Sequence, residues 1–502
     1  MQNSNSLLFL LREVINKFDN YGIIKNKKFY IKIILDEAII MEINLKIDKM
    51  KDDIIKSTQE LVRINSVEES PKDGMPFGEG PAKALNYCLQ LCNNLGFKTV
   101  NLDNYIGYAE YGEGEEYVGI LGHVDVVPEG DGWMYPPYGA EIHDEKIYGR
   151  GTMDDKGPII ASVYGLKAIK DLGLNLSKKV RIIFGTNEES GCGEIEHYFK
   201  TEKPPISGFT PDAEYPIING EKGITIFNLV KVFCSERKEN KIKYIKGGNK
   251  ANMVPDYCEA GILINDANIV INAAKDFVDK TGYKISVESK DEMVIVKSIG
   301  ASAHGSMPQL GKNAIMQLLA FLGELPLEDS DITEFIRFMN KHIGMEVNGE
   351  SFGIGLEDRV SGKLSFNVGV INMEDNKVTM TLNVRYPVTC KYEDMLSGIN
   401  NTIKGTEIKI ENMEHQPPLY FPEDHDTIKV LSKVYEEQTG NKAQLLSIGG
   451  GTYAKEMPNI VAFGPIFPEE PDLDHQPNEY IRIDHLIKNA QIYAHAIYEL
   501  AK

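Results

Sequence analysis

The sequence predicts an α/β fold, a mixed but largely parallel sheet flanked by helices, interrupted by a large inserted α+β lid domain. Three observations carry this. The apolar runs YVGILGHVDV (117–126) and KVRIIFGTNEE (179–189) read as buried strands, and the stretch IIASVYGLKAIKDLG between them reads as a helix, which makes a βαβ unit. After about residue 222 the texture changes to strand-rich segments (ITIFNLVKVFC, EMVIVKSIGAS, LSFNVGVINMEDNKVTMTLNVRYP) separated by helical stretches. The last stretch returns to helix, short strand and helix, completing the first unit.

Taken in order, residues 1–40 have apolar patches but no basic start, single apolar core or small-residue cleavage site, so they do not read as a secretion signal. Met41 precedes a fresh amphipathic pattern, and the expectation is that translation begins there, with residues 1–40 a non-native extension. Apolar positions recur at helical spacing from Asp53 to Ile64, and EGPAKALNYCLQLCNNLGF gives a second helix ended by Gly96. The expected organisation is a catalytic domain over 41–220, an inserted lid over 221–405, and the rest of the catalytic domain over 406–502.

The chain has 502 residues, 74 acidic against 54 basic, for a formal charge of -20. That balance argues against nucleic acid or an anionic membrane as partner. No apolar run approaches the roughly 18–20 residues a membrane-spanning helix needs. The six cysteines (Cys88, Cys92, Cys192, Cys234, Cys258, Cys390) form no C-x-x-C pair, which fits a reducing cytoplasm and gives no thiolate metal site.

Chemistry-bearing residues cluster where the predicted strands end. In LGHVDVVPEGDGW, His123 and Asp125 are two apart and share a strand face, so one can bind a metal while the other orients the imidazole; alone, such a pair is an ordinary polar contact. Asp154 and Asp155 in GRGTMDDKGP sit in a glycine-flanked loop before a helix, where a carboxylate bridges two cations or merely caps the helix. The adjacent Glu188 and Glu189 of FGTNEESGCG would repel each other unless neutralised; one can ligate while its neighbour acts as general base. Asp212 in TPDAEYP and His475 in PDLDHQPNEY add a carboxylate and an imidazole. A sulfur-free set of this kind suits zinc, with manganese or cobalt as alternatives, and two metals sharing an aspartate would activate a water between them.

This ordered set resembles the co-catalytic metallohydrolases that include aminoacylase, glutamate carboxypeptidase, acetylornithine deacetylase and succinyl-diaminopimelate desuccinylase. Within them it is most similar to the peptidase V type of Xaa-His or β-Ala-Xaa dipeptidase, on the phrases GRGTMDDKGP, NEESGCG and TPDAEYP and the long segment between Asp212 and His475. The resemblance implies a zinc-peptidase-like catalytic domain and two divalent metal ions. His123, Asp154 and Asp212 would hold one, and Asp154, Glu189 and His475 the other. It further implies Glu188 as general base, Asp125 as the group orienting His123, and a cis Asp154–Asp155 peptide. His304 in GASAHGSMPQLGKNA would stabilise the oxyanion. Asn252, Arg385 and the glycines Gly449, Gly450 and Gly451 would contact substrate, Arg385 gripping a free carboxylate. The histidines His143, His197, His342, His415, His425, His485 and His495 match no ligand position.

The implied function is hydrolysis of dipeptides with free amino and carboxyl termini. The insert is nearly twice the length expected of one small α+β domain, so a monomer supplying its own His304 is expected. The rival readings are an N-acyl amino acid deacylase with the same metal set, and a catalytically silent peptide-binding protein.

Overall fold

The computed structural model describes residues 27–234, 241–290, 293–374 and 376–502, with side chains from residue 34 onward. Residues 1–26, most of the expected extension, lie outside the described residues. The backbone is described from a helix, Lys27–Asp48, that runs through Met41 without a break and buries Ile43 and Ile47.

The chain divides into two compact units, one comprising the residues up to Asn219 with Phe421–Leu446 and Thr452–Lys502, the other Gly220–Tyr420 with Ser447–Gly451. In the first unit the sheet runs in the order Lys98–Leu102, Ile106–Tyr111, Lys179–Gly185, Tyr117–His123, Ser207–Thr210, Ile460–Ala462, Ile217–Glu221. Its centre is parallel: Tyr117–His123 pairs with Lys179–Gly185 on one side and with Ser207–Thr210 on the other, and Ile460–Ala462 continues the same direction. All seven residues of Tyr117–His123 are buried. That is why the run has no polar alternation: helices cover both faces of a parallel sheet, so neither side of the strand meets water.

The crossover helix Lys156–Asp171 is buried nearly all round, packed against the sheet and against the C-terminal helix Ile483–Ala501. Asp155 stands at its N-cap position but makes no capping bond to the helix. Its Oδ2 instead accepts the backbone N–H of His123 at 3.2 Å. This needs Gly122, because a Cβ there would lie 2.2 Å from that oxygen.

The second unit is an eight-stranded antiparallel sheet in the order Lys284–Lys290, Met293–Ile299, Tyr257–Leu263, Ile242–Gly247, Ser365–Glu374, Lys377–Tyr386, Gly223–Val232, Lys409–Gln416. The helices Ala267–Thr281, Ala314–Glu324 and Asp331–His342 pack with it around a core of its own, from Phe227 to Ile408. The sequence reading ended this insert at residue 405. The strand Lys409–Gln416 nevertheless belongs to it, paired with Gly223–Val232 from Ile224↔Gln416 to Val230↔Lys409. It is an edge strand with most side chains exposed, so it carries no apolar alternation to betray it. No described helix is long and apolar enough to cross a membrane.

Candidate metal centre and active site

Three neighbouring parallel strands of the first unit end side by side, and each delivers a candidate ligand. His123 is the last residue of its strand and sits in register with Gly185, so the turn carrying Glu188 and Glu189 begins beside it. Asp212 follows Ser207–Thr210, the neighbour on the other side. The loop before the crossover helix brings Asp154, and the Asp154–Asp155 peptide is cis. His475, at φ 64°, comes from a loop near the far end of the chain.

The six side chains converge. Asp154 turns one oxygen to each histidine: Oδ1 lies 2.8 Å from His123 Nε2 and Oδ2 lies 3.2 Å from His475 Nε2. His475 Nε2 is also 3.0 Å from Glu189 Oε2, and His123 Nε2 is 3.9 Å from Asp212 Oδ2. Potential ligand atoms of His123, Asp154 and Glu189 lie within 4.8 Å of one another, as do those of His123, Glu188 and Asp212.

Asp125 reaches both His123 and the glutamate turn. The acceptor nearest His123 Nδ1 is the Asp125 backbone carbonyl at 3.0 Å, while its carboxylate stands at 3.5 Å. The carboxylate itself accepts the backbone N–H groups of Glu188 and Glu189, at 3.2 and 3.1 Å. Asp125 thus ties the His123 strand end to the glutamate turn. With Nδ1 turned to the carbonyl, Nε2 is the nitrogen that would ligate a cation once it has given up its own proton.

The electrostatics demand positive charge. Burial pushes the Asp212 carboxyl up to about 7 and holds Glu188 well above the usual carboxylate range, the neighbouring acids adding to both effects. Hydrogen bonds to Asp154 and Glu189 lift His475 to about 11. Burial works against a charged His123, yet Asp125, Asp154 and Asp212 outweigh it and raise that group too. Two like charges 4 Å apart in a partly screened site repel by roughly 4 kcal/mol, so four carboxylates cannot stay ionised together without cations.

Among the described residues no lysine or arginine pairs with Asp154, Glu188, Glu189 or Asp212. The contrast is the acidic group Asp331, Glu334 and Glu407 of the second unit, where Lys231 Nζ sits 3.5, 2.8 and 3.7 Å from the three carboxylates and supplies the charge itself. Imidazole nitrogens and carboxylate oxygens with no lysine or arginine among them are a donor set fitted to divalent metals.

The remaining candidates gather in the second unit. The Asn252 carbonyl accepts the Gly305 N–H at 2.7 Å, an approach that a side chain at Gly305 would block with a 2.9 Å contact. Exposed His304 holds Ser306 Oγ at 2.6 Å from its Nδ1, and the Ser306 carbonyl accepts from Ser365 at 2.8 Å. Ser365 pairs with Arg385 across the sheet. Arg385 is 4% exposed; its Nε donates to Asn383 Oδ1 at 3.1 Å and its Nη1 donates to the Gly449 carbonyl. Gly449 lies against Ser306, while Gly450 and Gly451 continue the same short segment. Sequence reasoning missed Arg150 and Glu479, a buried ion pair at 2.7 Å behind the Asp154 loop. A charged residue beside each of two ligand motifs, in GRG and in HQPNEY, was the available signal.

Comparison with known proteins agrees with this geometry. Residues 119–499 match the family described as Peptidase family M20/M25/M40. The Bacillus subtilis (strain 168) protein named "Putative dipeptidase YtjP" is 41% identical over 468 residues, covering 92% of this chain and all of that protein. A Staphylococcus aureus (strain USA300) protein with the same designation of dipeptidase is 36% identical over 464 residues, 91% of this chain and 98% of its own. Among solved structures, human carnosine dipeptidase 1 has TM-score 0.54 at 15% identity, and the di-peptidase Dug1p of Saccharomyces cerevisiae 0.53 at 15%, each covering 92% of this chain and 98% of the other. At that identity the likeness is one of fold. The chain therefore belongs to the M20/M25/M40 family of peptidases.

Proposed function

We propose that this protein is a metal-dependent dipeptidase that hydrolyses dipeptides with free amino and carboxyl termini, using two divalent cations, zinc by preference. The observation that carries the reading is Asp154, whose two oxygens face two different histidines within a cluster of acids that no lysine or arginine among the described residues neutralises. In this reading His123, Asp154 and Asp212 hold one cation, and Asp154, Glu189 and His475 the other. Relatives covered over nearly their whole length and named as dipeptidases support the substrate class.

Cations held there would supply an acidified water and a polarised carbonyl. Glu188 is the group that moves the proton. In its ionised form it would take a proton from the water and return it to the leaving amine. Asp125 holds the backbone of that turn and with it the aim of Glu188. His304 is assigned to the oxyanion, and Arg385, still charged at neutral pH although burial lowers it to about 10, to the substrate carboxylate. Asn252 and the Gly449–Gly451 segment are assigned to the substrate backbone. The long insert supports a monomer, and six free cysteines support a cytoplasmic location.

The test is hydrolysis of a small dipeptide panel by metal-loaded protein, beside Glu188→Ala and N-acetyl amino acid controls. Expected is cleavage of free dipeptides, lost in the variant with its metal content intact, and none of the blocked compounds. Turnover of N-acyl substrates alone would overturn the substrate class, and tight metal binding without turnover would leave a peptide-binding protein.

A further inference from the structure

Behind the candidate metal centre, one carboxylate gathers three backbone amides of the Asp154 loop. Glu479 is fully buried, and its two oxygens are shared among four close donors. Oε1 accepts from Met153 N at 2.8 Å and Asp154 N at 3.3 Å. Oε2 accepts from Gly151 N at 3.0 Å and Arg150 Nη1 at 2.7 Å. The Glu479 backbone carbonyl accepts a further N–H from Gly149 at 3.0 Å. A carboxylate is an acceptor at every lone pair, so it suits a nest of converging amides that no neutral side chain of this size can satisfy.

The other end of the same short segment carries His475. Arg150 Nη1, besides pairing with Glu479, donates to the Gln476 carbonyl at 3.3 Å. Asn478 ties the segment to a third loop, accepting from Met134 N at 2.6 Å and donating to the Gly132 carbonyl at 3.2 Å. These anchors hold His475 and Asn478 in the left-handed region, at φ 64° and 66°, which L side chains rarely adopt. The residues meant to share a cation, Asp154 and His475, thus come from two loops that meet at one buried carboxylate.

We propose that Glu479 is a positioning residue for the metal centre, locking the Asp154 loop to the His475 loop and so setting how tightly the Asp154–His475–Glu189 position holds its cation. This rests on the reading of the cluster as a metal centre. Glu479 touches neither substrate nor cation; it acts through the backbone of Asp154 and the placement of His475.

The test is cobalt binding by metal-stripped, full-length protein, read by calorimetry and by the visible absorption of the bound ion, with wild type beside Glu479→Gln and Glu479→Asp. In Glu479→Gln an amide NH2 faces backbone N–H groups. Expected is about a 10- to 100-fold loss of affinity for one of two cobalt ions. A changed absorption band and a fall in kcat with KM nearly unmoved should accompany it, with Glu479→Asp lying between variant and wild type. A residue that serves only the fold would lower the melting temperature and leave affinity and spectrum alone; that result overturns the proposal. If Glu479→Gln does not fold, Arg150→Lys takes its place: weakened cobalt binding supports the proposal, and wild-type binding overturns it. Wild-type protein that binds no cobalt would instead overturn the metal reading itself.

Discussion

The Asp125 carboxylate accepts the backbone N–H of Glu188 at 3.2 Å, and its second oxygen takes the next N–H along the turn, that of Glu189, at 3.1 Å. One acid therefore sets the direction of two others, the proposed general base and a proposed metal ligand. Asp125→Asn keeps the shape but presents an NH2 to one of these amides. It is expected to lower kcat by about 10- to 100-fold, with KM for a good dipeptide changed much less. Steady-state kinetics on the metal-saturated variant decide it, and unchanged kcat would show that the turn holds itself.

Loading the metal should release protons. His475, lifted to about 11 by its bonds to Asp154 and Glu189, is protonated at neutral pH in the metal-free protein and must lose that proton to ligate. Asp212, raised by burial to about 7, gives up part of another. Affinity for the cation therefore rises with pH. Calorimetry of zinc binding at pH 7 in two buffers of unlike ionisation heat should give different apparent enthalpies; identical values would contradict the assignment.

Arg385 is spent on the Asn383 side chain through Nε and on the Gly449 carbonyl through one terminal nitrogen, which leaves the other edge of its guanidinium for a ligand. Arg385→Lys loses the planar fork and is expected to raise KM for dipeptides by about tenfold or more. A dipeptide amide, which lacks the carboxylate, should be nearly insensitive to the change. Equal losses on the two substrates would remove Arg385 from carboxylate recognition.

On the C-terminal helix, Glu499 offers a stability test. Burial would raise its carboxyl, but His495, Lys502 at 2.7 Å and Lys433 win and pull it down to about 2 from a free value near 4.5. A depressed acid stabilises the fold above its unfolded pKa and loses that contribution as pH falls through the folded one. Glu499→Gln should therefore cost about 1 kcal/mol at pH 7, allowing for solvent screening, with the deficit shrinking between pH 4.5 and 2. Urea unfolding at pH 7 and pH 3.5 compares the two chains, and dipeptidase activity at pH 7 should be unchanged.

The parallel strands of the first unit were readable because burial on both faces leaves a continuous apolar run, and their chemistry was readable because ligands of such sheets collect at the strand ends. His123, Glu188, Glu189 and Asp212 follow those runs directly in the chain. Asp154 and His475 were found as motifs, but that each oxygen of Asp154 faces a different histidine depends on two loops more than 300 residues apart in sequence meeting in space. The same holds for Asp125: its H-x-D spacing suggested an imidazole partner, and the carboxylate stands 3.5 Å from His123 Nδ1, but its bonds to the amides of a neighbouring strand's turn depend on the fold. The edge strand Lys409–Gln416 was unreadable because a solvent-facing edge needs no apolar pattern, only backbone donors and acceptors in register. Glu479 was unreadable because its partners are backbone amides, which every sequence possesses alike. Strand burial and ligand chemistry are local and are written in residue types. The bridging geometry, the edge pairing and the buried amide nest arise from long-range hydrogen bonds, which only the folded chain brings within reach.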